Sequence, residues 1–191
     1  MTNPVLLEPI LKDSVVVTPL APDQLIGLIN DSFTEAKFPG IENLRNSNLT
    51  EEPLAVTIEF GDKNDWTKLE PSFLDQAPQG WASALSFFSK AAFRFYLPAY
   101  LIADVQQLLD RVNVLFQLTH SFTDGQIFST DEQDRWMLNW ELNRCSLFTF
   151  VEVQAIIAYL EYVVRCDDFY DDRDQRHAKQ ALNNYWYERG T

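Results

Sequence analysis

Asp167-Asp168-Phe169-Tyr170-Asp171 places three carboxylates within about one helical turn, with Asp167 and Asp171 four residues apart and on one face. Clustered carboxylates are what a hard divalent cation binds. Arg165, Arg173 and Arg176 stand close enough in sequence to neutralise them. Solvated, self-paired surface charge is therefore the plain reading, and a divalent-metal site at Asp167 and Asp171 the alternative. Asp174 and His177 are three apart, a spacing that can ligate metal but makes only half a site. His120 has no sequence partner, and two histidines in all leave little for proton transfer near neutral pH. The sequence contains no Gly-x-Ser-x-Gly, Walker loop, His-Glu-x-x-His or Rossmann glycine run. No catalytic residue and no cofactor is assigned, and an enzyme is the weaker expectation.

Arg94 is a different case. It stands in the apolar run Ala91 to Val105, four residues before Pro98. A buried arginine must be paired, because an unpaired buried charge is very costly. A salt bridge to a core-facing acid on another helix is the simpler expectation. The functional one is an anion hook with Tyr96 and Tyr100 at a pocket mouth. Residues 51–75 carry a third candidate. Glu51, Glu52, Glu59, Asp62, Asp65, Glu70 and Asp75 are opposed only by Lys63 and Lys68. Such an unbalanced face speeds association with a basic protein and sets specificity.

These side chains need helices to hold them. Pro22 suits a first helical turn, and Leu25, Ile26, Ile29, Phe33 and Ala36 recur at helical spacing until Phe38-Pro39-Gly40 stops the pattern. Residues 51–60 carry two signals. Val56, Ile58 and Phe60 alternate like a strand, while Thr50, the early acids and Pro53 favour a helix, the reading preferred here. Asp65 can cap a short helix carrying Trp66 and Leu69. Ser89 can cap a helix running to about Leu109, apolar nearly all round in its first half and therefore buried on most sides. Pro98 kinks it or divides it in two. Val112 to Leu118 adds another turn or two, and 119–130 reads as loop. Trp136, Leu138, Trp140 and Leu142 alternate like a strand, yet Asp131-Glu132 suits a helix start, and both readings stay open. Thr149 and Glu152 form a capping box before an amphipathic run through Val164. A last helix spans about Asp171 to Tyr187.

The expected fold is a mostly α, single-domain bundle around a buried central helix kinked or broken at Pro98, with room for one or two short strands. Residues 1–21 read as an extended N-terminal arm with a possible strand at Val15 to Val17, and 22–191 as the helical domain. The chain has 191 residues, 46% of them apolar, which suffices for a core without metal or disulfide. Cys145 and Cys166 stand alone and read as reduced, buried thiols. A net charge of −13 disfavours nucleic acid and anionic membrane as partners. Neither a secretory signal nor a membrane-length apolar run is present, so a cytoplasmic location is expected.

Leu85-Ser86-Phe87-Phe88-Ser89 followed by Ala92-Phe93-Arg94-Phe95-Tyr96-Leu97-Pro98-Ala99-Tyr100-Leu101 resembles the signature of a bacterial family of unknown function. The resemblance extends to Phe38-Pro39-Gly40, Trp66, Thr149 with Gln154, Leu160-Glu161-Tyr162, and Tyr185-Trp186, covering about residues 24–187. The arm and the Asp131 to Leu142 segment look peculiar to this chain. The resemblance implies a helical fold and a bacterial source, and supplies no activity. The Asp-Asp-x-x-Asp spelling is also similar to the magnesium motif of isoprenoid synthases, but their second metal motif is missing.

Three functions remain. The first is a protein-binding module for a basic partner, of the kind in which an immunity protein neutralises a toxin. The second is an enzyme with a site near Arg94 or a metal at Asp167 and Asp171. The third is a homo-oligomer docked through Trp136 and Trp140, whose fate as core or interface the sequence leaves open, as it does the oligomeric state.

Overall fold

A computed structural model describes residues 20–48, 51–76 and 83–191. The arm and its Val15 to Val17 segment lie outside this set, apart from Leu20 and Ala21.

Helix α1 (Pro22–Ser32) starts on its proline, and Gln24 reaches back to accept from the Ala21 N–H at 3.0 Å. It ends before the expected stop, yet Phe33 and Ala36 stay buried in the following turn. Gly40 takes φ 88°, a left-handed conformation suited to glycine, and leads into a short 3-10 turn at Ile41–Asn43. Helix α2 (Glu51–Phe60) resolves the first ambiguity. Val56 and Phe60, four apart, are buried, whereas Ile58 between them is 82% exposed, so the helical period wins over the alternation. Asp65 caps the turn Trp66–Lys68 through the Thr67 N–H at 3.1 Å, as expected. Helices α3 (Pro71–Leu74) and α4 (Ala84–Phe87) are single turns.

Helix α5 (Lys90–Val105) is the buried centre. Ser89 accepts from the Ala92 N–H at 3.1 Å, and one unbroken helix runs through Pro98. Eleven of its residues are buried, which is why its sequence shows no polar face. It stops at Val105 rather than Leu109, and Gln107 takes a positive φ of 58°. Asn113 then caps α6 (Val114–Thr119) through the Phe116 N–H at 2.7 Å. The stretch expected as loop folds into a 3-10 turn, His120–Phe122, and α7 (Asp124–Ile127).

Residues 135–142 lie within α8 (Glu132–Arg144), capped by Asp131 at Gln133 N and Asp134 N. Here the apolar alternation misleads. Trp136 is 61% exposed and Trp140 half-buried, while Glu141 and Arg144 are the buried residues. The Thr149–Glu152 capping box opens α9 (Phe150–Arg165), as expected. Asp171 caps α10 (Asp172–Ala181). A π turn, Leu182–Trp186, then leads into α11 (Tyr187–Arg189).

Helix α5 packs against α1, α3, α6 and α8, and α9 against α1 and α10, around a single apolar cluster. Among the described residues, β-structure is limited to one antiparallel bridge, Arg45 to Phe88. No helix among them is long and apolar enough to cross a membrane. Both cysteines are free thiols, Cys145 buried and Cys166 half-buried.

Candidate functional site

Arg94 is an internal tie. Its guanidinium Nε donates to both carboxylate oxygens of Glu152 at 2.9 Å, joining α5 to α9. The Glu152 side chain is 1% exposed, and the same carboxylate closes the capping box by accepting from the Thr149 N–H at 2.7 Å. Tyr96 points elsewhere. It stacks on Phe88, and its hydroxyl donates to the carbonyls of Phe60 at 3.2 Å and Lys63 at 2.9 Å, pinning the end of α2. Tyr100 lines a cavity whose walls include neither Arg94 nor Tyr96. The three residues do not assemble into an anion hook.

The acids of 51–75 divide by role. Asp62 and Lys63 meet at 2.5 Å, and Asp65 and Lys68 at 2.7 Å. Hydrogen bonds from those lysines hold both carboxyls below the usual range. Asp75 is structural. Its Oδ1 accepts from the backbone N–H groups of Arg111 at 2.7 Å and Val112 at 3.0 Å. Burial pushes its carboxyl up, but backbone donors from Arg111, Asp110 and Val112 outweigh that and leave it low. Glu70 is exposed at the start of α3 without a side-chain cap bond.

Glu51, Glu52 and Glu59, all on α2, line one cavity of about 210 Å³. Val56, Phe60, Phe73, Leu74, Phe87 and the ring of Tyr100 give it apolar surface, beside the polar Gln76 and Ser83. Sequence reasoning named the rim acids and Tyr100 separately and did not join them, because α2 to α5 must converge before they share a space.

Tyr100 is 1% exposed, and no described residue hydrogen-bonds its hydroxyl. Every sealed side-chain N or O among the described residues has a partner. The hydroxyl is therefore not sealed and opens on the cavity. Burial, reinforced by the Glu59 charge, pushes it far above the ordinary tyrosine range, so it stays protonated as both donor and acceptor. The cavity thus offers carboxylates at its mouth, apolar walls and a hydroxyl within. That combination suits a cationic group on an aliphatic stem.

Residues 22–190 match the family of unknown function DUF6714. The chain belongs to this family. The matched span includes Asp131 to Leu142, which the earlier resemblance set aside, and leaves out the arm. No curated protein and no solved structure matches the chain.

In this DUF6714 chain the aspartate-rich segment is engaged locally. Asp171 accepts from the backbone of Arg173 and Asp174 at 2.9 Å each, and Asp167 accepts from Gln175 Nε2 at 2.9 Å. Among the described residues no three His, Cys, Asp or Glu side chains converge as metal ligands. His177 and His120 are both held below the usual histidine value, chiefly by burial.

Two polar clusters in the DUF6714 domain went unread in the sequence. Arg144, 4% exposed, lies between the rings of Phe93 at 4.1 Å and Trp140 at 4.8 Å. Its Nε and Nη2 donate to Glu141, its Nη1 to the Leu85 carbonyl and Gln117 Oε1, and its Nη2 also to the Gln117 carbonyl. Asp104 accepts from the hydroxyls of Tyr159 at 2.5 Å and Tyr170 at 2.7 Å. The i, i+3 spacing of Glu141 and Arg144 was a visible signal, but surface pairs show it as often.

Proposed function

We propose that this protein is a binding module that captures a basic protein partner through the acidic face of α2, as an immunity-type inhibitor captures a toxin. The observation that carries the reading is the cavity lined by Glu51, Glu52 and Glu59 together with Tyr100. A lysine or arginine side chain of the partner fits this chemistry. Its stem lies on the apolar walls, and its head group meets carboxylates and the Tyr100 hydroxyl. Leu54 at 40% and Ile58 at 82% exposure stand on the same helix and offer apolar contact beside the acids, the mixture that protein interfaces favour. A cytoplasmic, bacterial setting is part of this proposal.

The test is affinity capture with the full chain as bait, at low and at high salt, followed by reconstitution from purified components. The reading expects one basic protein, held at low salt and released at high salt, that forms a stoichiometric complex once purified. The bait carrying Glu51→Gln, Glu52→Gln and Glu59→Gln together should lose it. No salt-sensitive partner, or equal capture by the triple variant, would overturn the reading.

A further inference from the structure

A second and larger cavity, about 710 Å³, opens between α4, α6 and α8. Four aromatic side chains line it, Phe87, Phe116, Trp136 and Trp140, among polar neighbours such as Asn46 and Gln117. The volume falls within the roughly 300–1,000 Å³ typical of small-molecule sites. Phe116 is 48% and Trp136 61% exposed, so two large ring faces meet solvent at its edge.

The charges on its wall are closed. Glu141 and Arg144 face it, but they pair with each other, and all five guanidinium N–H groups are spoken for by Glu141, Gln117 and Leu85. The remaining titratable side chain of the lining is His120. Its ring stacks on Phe116 at 4.5 Å, and no described residue hydrogen-bonds its nitrogens. Burial, then the neighbouring His177, hold it below the usual histidine value, so the ring is mainly neutral at pH 7 and offers one N–H and one lone pair. Ser121, beside it in sequence, is 2% exposed and also lines the cavity. No described residue bonds its hydroxyl, yet no sealed side-chain oxygen among the described residues lacks a partner. The Ser121 hydroxyl therefore opens on the cavity.

We propose that this cavity binds an uncharged, planar, bicyclic aromatic ligand, stacked on Trp136 and hydrogen-bonded along its polar edge by Ser121 and His120, with the Phe116–His120 stack as its side wall. An ion entering here would shed its water without gaining an opposite charge, whereas a flat neutral ring buries its faces on aromatic walls. The polar edge answers two groups that no described residue hydrogen-bonds. This site shares Phe87 with the α2 cavity but takes a different ligand and needs no protein partner.

Isothermal titration calorimetry on the full chain tests it, with quinolin-2-one and indole as neutral probes and naphthalene-2-carboxylate as a charged probe of similar shape. At least one neutral probe should saturate a single site, with the carboxylate about tenfold weaker or worse. Trp136→Ala and Ser121→Ala should each weaken the neutral probe by about tenfold, with circular dichroism and melting unchanged. The two variants back each other up should one fail to fold. No saturable neutral probe, equal binding of the carboxylate, or indifference of both folded variants would overturn the proposal. So would light scattering that shows a dimer dissolved by Trp136→Ala, since the cavity would then be an interface between copies.

Discussion

Arg94 and Glu152, 58 positions apart in the chain, meet with the guanidinium Nε 2.9 Å from both carboxylate oxygens. One carboxylate thereby joins two helices and caps one of them. Glu152→Gln should lower unfolding free energy by roughly 3 kcal/mol, combining a broken, largely buried pair with a weakened cap. Urea denaturation should show a lower midpoint at unchanged slope, while Glu188→Gln, on an exposed turn, stays within about 0.5 kcal/mol of the parent.

Arg144 predicts a non-additive result. Arg144→Met leaves Glu141 buried without its partner and should cost about 3–5 kcal/mol. Adding Glu141→Met should recover much of that, since the stranded charge goes with it. A double-mutant cycle by chemical denaturation measures the coupling. Simple additivity would show the pair to be idle.

Tyr96 and Tyr100 share a face of α5 but should respond unequally to loss of the hydroxyl. Tyr96→Phe strands the Lys63 carbonyl, while that of Phe60 still accepts from the Lys63 N–H at 3.0 Å, and should cost about 1–3 kcal/mol. Tyr100→Phe removes a hydroxyl that bonds no described residue and should change stability by less than about 0.5 kcal/mol. If Tyr100 serves a partner's basic group, the same variant weakens the complex while melting as the parent does.

Asp104 gives a pH dependence of stated sign. Burial pushes its carboxyl above the ordinary 3.8, the hydroxyls of Tyr159 and Tyr170 offset part of that, and Asp174 adds to it. The unfolded chain therefore ionises first as pH rises, and stability falls between the ordinary carboxylate value and the raised folded one. Asp104→Asn keeps an oxygen for both tyrosines and cannot ionise. Its urea midpoint should lose this decline, most visibly from about pH 4 upward. Asp75 works the other way, because its lowered value supports the fold above 3.8 and that support fades in acid.

The helices were legible wherever a local signal decides them. Ser89, Asp131, Thr149 with Glu152, and Asp171 each cap the element that their spacing predicts, because a cap is a contact between near neighbours. Residues 135–142 misled because α8 turns its tryptophans toward an open groove and its Glu141 and Arg144 inward, the reverse of what a soluble helix usually does. The acidic surplus of 51–75 was visible, but its division was not. Asp62 and Asp65 take neighbouring lysines, Asp75 caps a segment 36 residues away, and three glutamates face the cavity. Both cavities depend on elements far apart in sequence, which spacing along one helix cannot reveal.

The π turn at Leu182–Trp186 sets the phase of everything after it. One extra residue in a turn rotates the following side chains by about 100° relative to an uninterrupted helix. In the phase adopted, Trp186 is fully buried with its Nε1 donating to the Leu118 carbonyl at 2.9 Å. Gly190 lies so close to α9 that a Cβ would come within 2.6 Å of Ile157, and its carbonyl accepts from Gln154 at 2.8 Å. The C-terminal helix therefore works as a counted thread. Deleting or inserting a single residue between Ala178 and Trp186 would leave its composition nearly intact and turn its key side chains away from their seats, so its length is specified more tightly than its sequence.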